Sequence, residues 1–413
     1  MKVLLLTHSY DPEVTAPQRR WNAFVSVFRA RGWDVDVVVP VAHPERTPAQ
    51  VTASEYGRAM RREGGRHGER ILRVPLVRHT ESRLSKLVSN VASSVLAVPR
   101  ALLAGRADVV VVTVPALPNI AAGYAVSRLW GRPLIVDMRD AWPDLARDAE
   151  VVTSDKPGVM ETVVAFVQRR AEAVVSVTSG FAELLRERGA RRVEVVPNGV
   201  LKNRMPPLAE PSSATPERPL RVLYLGNHGE SQGLEVLIDA ARACGTDVHL
   251  RLVGTGTRKR ALLEHAGATG AVVEFLDATH DAQTLAQYDW ADTTVVSLRD
   301  DWPSFDWTIP SKTYELLAVG KHITAVVRGE AAEILAEAGG ADVVPADPDA
   351  IAALWRDLHA RPERLRVGDA GRQWVARHRN LGPLGEDFAD LVQEIAGDSS
   401  APGRRRTKTR NNG

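Results

Sequence analysis

The run VVVVTVPALPNIAAGYAVSRLWGRPLIVDMRD at residues 109–140 carries the clearest signal of the fold. Two apolar runs, Val109–Val114 and Leu134–Asp137, flank a segment with helix-spaced apolar positions, Asn119–Gly131. Strands that are apolar on both faces and separated by a helix are typical of parallel sheets built from βαβ units. This stretch therefore predicts an α/β fold whose strands are buried between helices.

The same alternation extends over most of the 413 residues, a length that indicates two domains. The segment 203–219 (NRMPPLAEPSSATPERP) has no apolar period and predicts a linker. We predict one domain over residues 1–202 and another over 220–382, with a C-terminal helix over 383–396 returning to the first domain. Glu55–Arg73, dense in arginine and glycine, predicts a mobile loop, and the basic tail 397–413 should be disordered. The other predicted strands are Val3–Leu6, Val35–Pro40, Ala173–Val177, Val193–Val196, Arg221–Leu225, Val248–Val253, Val272–Phe275, Thr293–Ser297, His322–Val327 and Ala341–Val344.

Composition narrows the class of protein. The hydrophobic fraction of 44% is ordinary, and a net charge of +2 gives no indication of nucleic-acid binding. The single cysteine, Cys244, excludes an intramolecular disulfide and favours a cytoplasmic location. The opening MKVLLLTHSYDPE is too short in apolar residues for a signal peptide. Leu84–Ala104, with Lys86 and Arg100, predicts either a shallow contact with the inner face of a membrane or a buried helix.

The segment WTIPSKTYELLAVG (Trp307–Gly320) is the best candidate for a ligand site. Pro310 suits the first turn of a helix, so the N–H groups of Ser311 and Lys312 would point out of the helix N-terminus toward a phosphate. Glu315 lies one turn further on the same face, where its carboxylate can accept both hydroxyls of a ribose. A capped helix with a surface Glu–Lys pair explains the spacing equally well.

IPSKTYELLAVGK resembles the PSK…E…AAG.P segment of family 4 glycosyltransferases, which have two Rossmann-like domains in the GT-B architecture. Further segments resemble that family in the same order: THSYDPE, APQRRW, LIVDMRDAWPD, VVPNGV, YLGNHGESQGLEVLIDAA and LRLVGTGTRK. The resemblance covers roughly residues 1–390 and is nearest to the branch of bacterial polysaccharide and O-antigen amino-sugar transferases. It implies two domains facing across a cleft. The implied reaction is transfer of a hexose or N-acetylhexosamine, with retention of configuration and without a metal ion, from a UDP-sugar.

The resemblance also assigns residues around the donor. Glu315 corresponds to the second glutamate of an E-x7-E pair, which binds the ribose. The first glutamate would fall at Trp307, and Asp306 is one position away. The loop Gly226–Gly233 (GNHGESQG) corresponds to a phosphate-binding turn, although an ordinary turn between strand and helix is the alternative. The donor-binding residues expected in this loop are Gly226, His228 and Gly229.

The charge that would bind the diphosphate departs from the family pattern. Many relatives carry an arginine and a lysine where this chain has Asn227 and Gln232. The positive charge would then come from Lys312, Arg258 or Arg139.

The first domain contributes the remaining candidates. Arg139 and Asp140 end a buried strand, and ligands of open α/β sheets bind beyond such ends. The resemblance implies that this segment lines the cleft, where Arg139 or Asp140 would contact donor or acceptor. An Arg–Asp pair that fixes the loop is an equal alternative. His8, at the end of the first strand, would face the acceptor or be a structural histidine. Arg19 and Arg20 would neutralise an acidic acceptor or lie on a solvated helix face.

Several other site types are not expected. Asp34 and Asp36 open a valine-rich strand and so should lie away from the cleft, and no cluster has metal-ligand spacing. The turn after Val253 lacks the third glycine of a dinucleotide fingerprint, so no cofactor is expected. The expected partners are a nucleotide sugar and a glycan, lipid-linked or small-molecule acceptor. A non-hydrolysing UDP-sugar epimerase or a non-catalytic nucleotide-sugar-binding protein are the alternative functions.

Overall fold

The computed structural model describes residues 1–43, 47, 59–75, 83–114, 117–141, 144–148, 158–201, 217–279 and 281–398. Residues 203–216 of the predicted linker and residues 399–413 of the predicted tail lie outside the described residues. The described chain forms two sheets of parallel strands, and one short edge strand of the N-terminal sheet runs antiparallel. Two Rossmann-like domains are therefore confirmed, and every strand predicted from an apolar run is present within about two residues of its predicted ends.

The N-terminal sheet has the strand order β3-β4-β2-β1-β5-β6-β7-β8. Alternate residues of β1 pack into different cores, since Leu4 and Leu6 face one helical layer while Val3 and Leu5 face the other. Burial on both faces is the reason that these strands are continuous apolar runs. The strands are β1 Lys2–Leu6, β2 Asp34–Pro40, β3 Arg62–Gly64, β4 Arg70–Val74, β5 Val109–Thr113, β6 Leu134–Met138, β7 Ala173–Ser176 and β8 Val193–Val195. The helices are α1 Ala16–Ala30, α2 Arg83–Leu102, α3 Leu117–Trp130, α4 Asp144–Asp148, α5 Val159–Gln168 and α6 Ser179–Glu187.

The prediction of a mobile loop over Glu55–Arg73 is wrong for the part that forms β3 and β4. β4 pairs with β2 in parallel, and β3 returns antiparallel along the sheet edge. Charge stabilises this edge, because the Arg70 guanidinium donates two hydrogen bonds to the buried carboxylate of Asp36 (2.6 and 2.7 Å), which also pairs with Lys2. Arginines that the composition placed in solvent are thus sheet residues with partners.

The C-terminal sheet has the order β11-β10-β9-β12-β13-β14 and is wholly parallel among its described strands. Helices cover both of its faces, which gives two separate cores. The strands are β9 Leu220–Leu225, β10 Val248–Val253, β11 Val273–Leu276, β12 Thr293–Ser297, β13 His322–Val326 and β14 Ala341–Val343. The helices are α7 Glu235–Cys244, α8 Lys259–Thr269, α9 Asp281–Trp290, α10 Ser311–Val319, α11 Gly329–Ala338, α12 Pro348–Ala360, α13 Ala370–His378 and α14 Leu381–Asp398.

The last helix lies on the first domain. α14 packs along α1, where the Phe388 ring contacts the rings of Trp21 and Phe24 with centroids 5.5 and 5.3 Å apart. An isolated β-bridge joins Val200 to Asn380 where the chain returns from the second domain. The segment that leaves the first domain is consequently hydrogen-bonded to the segment that returns to it.

Two carboxylates connect the domains through hydrogen bonds to backbone N–H groups. Glu330 of α11 accepts hydrogen bonds from the Ser179 N–H (2.9 Å) and the Gly180 N–H (3.0 Å), so it caps α6 of the first domain. In the opposite direction, Asp148 of α4 accepts from the Ser304 N–H of the second domain (2.9 Å). Each domain therefore supplies an anion to backbone donors of the other, which suits the positive end of a helix or turn.

Candidate functional site

Two neighbouring cavities lie in the cleft, beyond the carboxyl ends of the strands of both sheets. The first, of about 720 Å³, and the second, of about 1060 Å³, include the space at their open mouths. Both are lined by Ala16, Arg139, Asn198 and Ser311, so they form one continuous site. We call them the Glu315 cavity and the Trp307 cavity after a residue that lines only one of them. This is where ligands of open α/β sheets bind.

Glu315 lies in the wall of the Glu315 cavity and is 8% exposed. Its Oε1 accepts hydrogen bonds from the Tyr288 hydroxyl (2.7 Å) and from Lys312 Nζ (3.0 Å). Its Oε2 is 3.8 Å from Arg19 Nη1 of the first domain. Burial alone would raise the pKa of Glu315, but Lys312, Arg19 and the Tyr288 hydrogen bond lower it below its ordinary value. The residue is therefore an anion with one oxygen directed into the cleft.

The N-terminus of α10 opens onto both cavities through Ser311. Pro310 precedes the helix and provides no side-chain acceptor for the first N–H groups. Such groups, with the helix dipole, favour an anion. Lys312 adds charge, although its ammonium is partly committed because it donates to both Glu315 and the Tyr288 hydroxyl (3.1 Å). The predicted grouping of Ser311, Lys312 and Glu315 is thus present as a geometric cluster.

Arg139 and Asp140 follow β6 and line the Trp307 cavity, and Arg139 also lines the other. Burial lowers the pKa of Arg139, which Asp140 and Asp137 only partly offset. Burial likewise raises the pKa of Asp140 above its ordinary value, against the opposing effect of Arg139. Among the described contacts no hydrogen bond or ion pair joins the two side chains, although each charge affects the pKa of the other.

Arg20 differs from its neighbour Arg19. Arg20 is 1% exposed. Its guanidinium donates hydrogen bonds to Asp137 (3.2 Å), to the Pro197 carbonyl (2.6 Å) and to the Val196 carbonyl (2.8 Å). Burial lowers the pKa of Arg20 to about 10, with Asp137 acting against that shift. Arg20 therefore links α1 to β6 and to the segment after β8 at the base of the cleft. Arg19, the preceding residue of α1, approaches Glu315 instead.

The loop Gly226–Gly233 is bonded mainly to the end of β10 and the segment that follows it. His228 is fully buried, its N–H donates to the Thr255 carbonyl (2.9 Å), and its carbonyl accepts from the Arg258 N–H (2.9 Å). The Gly229 N–H is occupied by Gln232 Oε1 (3.1 Å), and the Gly226 N–H by the Val253 carbonyl (3.0 Å). The Gly226 and His228 N–H groups are therefore bonded to β10 and the turn that follows it, and the Gly229 N–H to a side chain of the loop itself. Of this loop, only Ser231 and Gln232 line the Trp307 cavity.

Close backbone packing explains the glycines of the adjoining turn. A Cβ on Gly254, which has φ +148°, would lie 1.9 Å from the Gly226 carbonyl oxygen. A Cβ on Gly256 would lie 2.4 Å from the His228 carbonyl oxygen. Both glycines therefore allow the turn after β10 to lie against the loop after β9.

Two other predicted residues lie away from the cavities as the described residues define them. Arg258 is exposed and pairs with Glu235 (2.6 Å), which draws its guanidinium along the surface of α7. His8 is half-buried at the end of β1 and lines neither cavity. Neither placement supports a direct contact with donor or acceptor.

Trp307 occupies the position of the first glutamate and lines the Trp307 cavity. It also packs against the core of the first domain, where a Cβ on Gly180 would lie 2.8 Å from its own Cβ. Asp306 is half-exposed and pairs with Arg328 (2.9 Å). Asp306 therefore has a partner of its own and does not line either cavity, while Trp307 forms part of the contact between the domains.

The sequence reasoning missed Tyr288 and Asn198. Tyr288 lies at the end of α9, is fully buried and orients Glu315; its pKa is raised well above the ordinary value by burial and by Glu315. Nothing in its own segment distinguishes it from a core tyrosine. Asn198 lines both cavities and belongs to VVPNGV, so the resemblance had already singled out its segment without assigning it a role.

In the part of the chain that the structure describes, no group of three or more His, Cys, Asp or Glu side chains is arranged to hold a metal ion. Among the described helices, none combines the length and apolar character needed to span a bilayer.

Sequence profiles of known families match both domains. The profile of the glycosyl transferase 4-like domain matches residues 15–199, and that of glycosyl transferases group 1 matches residues 219–361. The chain belongs to the family 4-like glycosyltransferases. None of the curated proteins matches this glycosyltransferase in sequence.

Solved structures similar to this glycosyltransferase share its two-domain architecture. Sucrose-phosphate synthase from Thermosynechococcus elongatus superposes with a TM-score of 0.72 at 18% identity, over 96% of this chain and 99% of that one. HepE from Anabaena in complex with UDP-glucose gives 0.67 at 16% identity, over 95% and 100%. The lipopolysaccharide outer core galactosyltransferase WaaB gives 0.59 at 12% identity, over 95% and 99%. At these identities the likeness establishes the GT-B fold.

Proposed function

We propose that this glycosyltransferase moves a hexose or N-acetylhexosamine from a UDP-sugar to a glycan, lipid-linked or small-molecule acceptor, in the synthesis of cell-surface polysaccharide or glycoconjugate. The observation that carries the proposal is the buried carboxylate of Glu315 in the cleft, one turn from the open N-terminus of α10. A ribose on that carboxylate would place the following phosphates at the Ser311 end of the helix. The UDP-glucose complex of HepE, a protein of the same fold, agrees with this type of donor.

The proposed chemistry retains the anomeric configuration and needs neither a protein nucleophile nor a metal ion. The leaving diphosphate would be stabilised by fixed N–H groups and by cations of the cleft, which lose little energy to reorganisation during reaction. The acceptor hydroxyl would attack from the face that the diphosphate leaves. Closure of the two domains would keep water from the reacting centre.

One experiment separates transfer from the two alternative functions. The protein is incubated with UDP-, GDP- and dTDP-sugars, with and without lipid-linked and sugar acceptors, and nucleotide release and sugar products are measured. Release that depends on an acceptor supports transfer. Isomerisation of the sugar without an acceptor supports an epimerase, and binding without turnover supports a non-catalytic protein. If the protein binds none of the nucleotide sugars, all three functions are contradicted.

We also propose that the enzyme works in the cytoplasm and docks on an anionic membrane through α2. On this helix Ser89, Ser93 and Ser94 are at most 5% exposed, beside the buried Ala97 and Ala101, whereas larger apolar side chains face outward. Ser94 is bonded to Asn119 (2.6 Å), so the polar face is stably buried. The outward apolar residues, called the α2 stripe, are Val88, Val91, Val95, Leu96, Leu102 and Leu103, between 36 and 67% exposed.

The positive charge near the α2 stripe favours an anionic bilayer as its binding partner. The sequence of α2 contains no acidic residue. Arg61 and Arg62 are exposed beside its C-terminal end, since Arg100 donates to the Arg61 carbonyl (2.7 Å) and Arg62 to the Leu103 carbonyl (3.4 Å). Arg100 itself is 5% exposed and so adds no outward charge, and the side chain of Lys86 lies outside the described residues. Apolar residues rimmed by cations suit a shallow interfacial contact.

Vesicle co-sedimentation tests this docking. Val95→Glu removes an apolar contact and adds a charge of the same sign as the lipid, so binding to phosphatidylglycerol vesicles should fall roughly tenfold or more. Leu129→Glu is the matched control, because Leu129 is 65% exposed on another helix, α3. Equal binding of both variants, or no binding of the wild type to these vesicles, would contradict the proposal.

A further inference from the structure

The second domain offers little free positive charge to the donor diphosphate. Lys312 is held by Glu315 and Tyr288, and Arg258 is paired with Glu235 outside the cavities. The two positions where many relatives carry cations hold neutral side chains, Asn227 and Gln232. A diphosphate at the N-terminus of α10 therefore needs a cation from another part of the cleft.

Arg139 of the first domain is such a cation. It is 8% exposed, and it lines both cavities together with Ser311. Its Nε is buried without a hydrogen-bond partner, and within the described residues no hydrogen bond or ion pair engages its guanidinium. Asp137, the nearest buried carboxylate on the same strand, is bonded to Arg20 and Thr113 instead.

The comparison with Arg20 shows what is unusual about this side chain. Both arginines are buried at the floor of the cleft, but Arg20 has a carboxylate and two carbonyls as partners. A buried cation without hydrogen-bond partners is costly, and the charges of Asp140 and Asp137 offset only part of the cost for Arg139. A ligand anion bonded to the guanidinium would offset more of it. Arginine also presents several donors in a fixed plane, which suits phosphate oxygens.

We propose that Arg139 binds the diphosphate of the donor from the first domain, opposite the N-terminus of α10, and stabilises the leaving nucleoside diphosphate. In the transfer step the bond between the anomeric carbon and the β-phosphate oxygen breaks, and its electron pair stays on that oxygen. The acceptor oxygen forms the new bond to the anomeric carbon, and its proton passes to a departing phosphate oxygen. The diphosphate would thus bridge both domains, so donor binding would favour the closed cleft. This inference rests on the proposed donor class.

Nucleotide binding without acceptor tests the assignment, because an anionic acceptor is the other source of an anion for Arg139. UDP, UMP and uridine are titrated calorimetrically into the wild type, Arg139→Gln and Arg139→Lys. We expect Arg139→Gln to weaken UDP binding roughly 10- to 100-fold and to leave uridine binding within about twofold. Arg139→Lys should fall between them because it keeps the charge but not the planar donors. Arg260→Ala, an exposed arginine on α8, is the control and should bind UDP as the wild type does.

The outcomes separate this inference from the proposed function. If the wild type binds UDP and Arg139→Gln binds it equally well, the inference is overturned while the donor class stands; a loss confined to acceptor KM would then assign Arg139 to the acceptor. Equal losses for UDP and uridine would show a structural role and also overturn it. If the wild type binds none of UDP, GDP and dTDP, the proposed function itself fails.

Discussion

Replacing Glu315 by glutamine is the most direct test of the ribose contact. Alanine would also leave the buried Tyr288 hydroxyl and Lys312 without their acceptor, whereas glutamine keeps the shape and an oxygen for them. Oε1 already accepts two hydrogen bonds. Among the residues that the structure describes, Oε2 has only Arg19 at 3.8 Å, so Oε2 is the oxygen available to ribose hydroxyls. Hydrogen bonds to a charged group contribute about 1 kcal/mol more than neutral ones, and two ribose contacts give a loss of about 1–3 kcal/mol. That corresponds to roughly 5- to 150-fold in Kd.

The assay compares ligands as well as variants. UDP and its 2′,3′-dideoxy analogue are titrated calorimetrically into the wild type and Glu315→Gln, with Glu333→Gln, an exposed glutamate of α11, as the control. If Glu315 binds the diol, removing the hydroxyls weakens binding to the wild type and has little further effect on Glu315→Gln. A folded Glu315→Gln protein with unchanged UDP affinity, or with the same penalty for the missing hydroxyls as the wild type, would refute the ribose assignment.

Two further predictions concern closure and pH. Glu330→Ala removes the cap that α6 receives from the second domain, a contribution of about 1–2 kcal/mol. The unliganded protein should therefore shift toward an open form with a larger radius of gyration in X-ray scattering. The control Glu333→Ala, on the same helix, should not change the radius, and identical radii for the two variants would contradict the capping role. Burial, with a further effect of Lys259, lowers the pKa of His228 to about 4, below the ordinary 6.5. The unfolded chain binds a proton at this residue that the folded chain does not, so the wild type should lose up to about 3 kcal/mol of stability as the pH falls from about 6.5 to 4. His228→Gln should remove that part of the loss in urea unfolding at pH 7.5 and 4.5, and parallel curves for the two proteins would contradict the buried neutral state.

Much of the fold follows from the sequence because the parallel strands are buried on both faces. Val109–Thr113 and Leu134–Met138 must be apolar throughout, so they are visible as runs between helical segments. The strands β3 and β4 were not visible for the opposite reason. β3 is the edge strand of its sheet and β4 lies next to it, and their polar residues are stabilised by ion pairs with partners such as Asp36, which is distant in sequence. The amino-acid composition shows that charged residues are present but not which of them form ion pairs.

The candidate site was predictable only where local spacing defines it. Ser311, Lys312 and Glu315 belong to one helix, so periodicity was enough to place them on one face. The orientation of Glu315 by Tyr288 and its approach to Arg19 depend on other elements, and the approach to Arg19 needs the other domain. The same limit applies to His228, whose glycine-rich loop suggested a phosphate contact. Its backbone is instead bonded to the turn after β10, a contact between distant segments that spacing does not reveal.

The division of charge across the cleft gives closure a chemical purpose in the proposed reaction. The second domain holds the carboxylate for the ribose and the helix N-terminus for the phosphates, while the first holds the buried Arg139. Closing the cleft without a donor buries that cation without hydrogen-bond partners, which is unfavourable. The carboxylates of Glu330 and Asp148 act in the opposite direction, because each is bonded to backbone N–H groups of the other domain. The free energies of these two effects would partly cancel in the unliganded protein, so a diphosphate that reaches Arg139 can shift the equilibrium decisively toward the closed form.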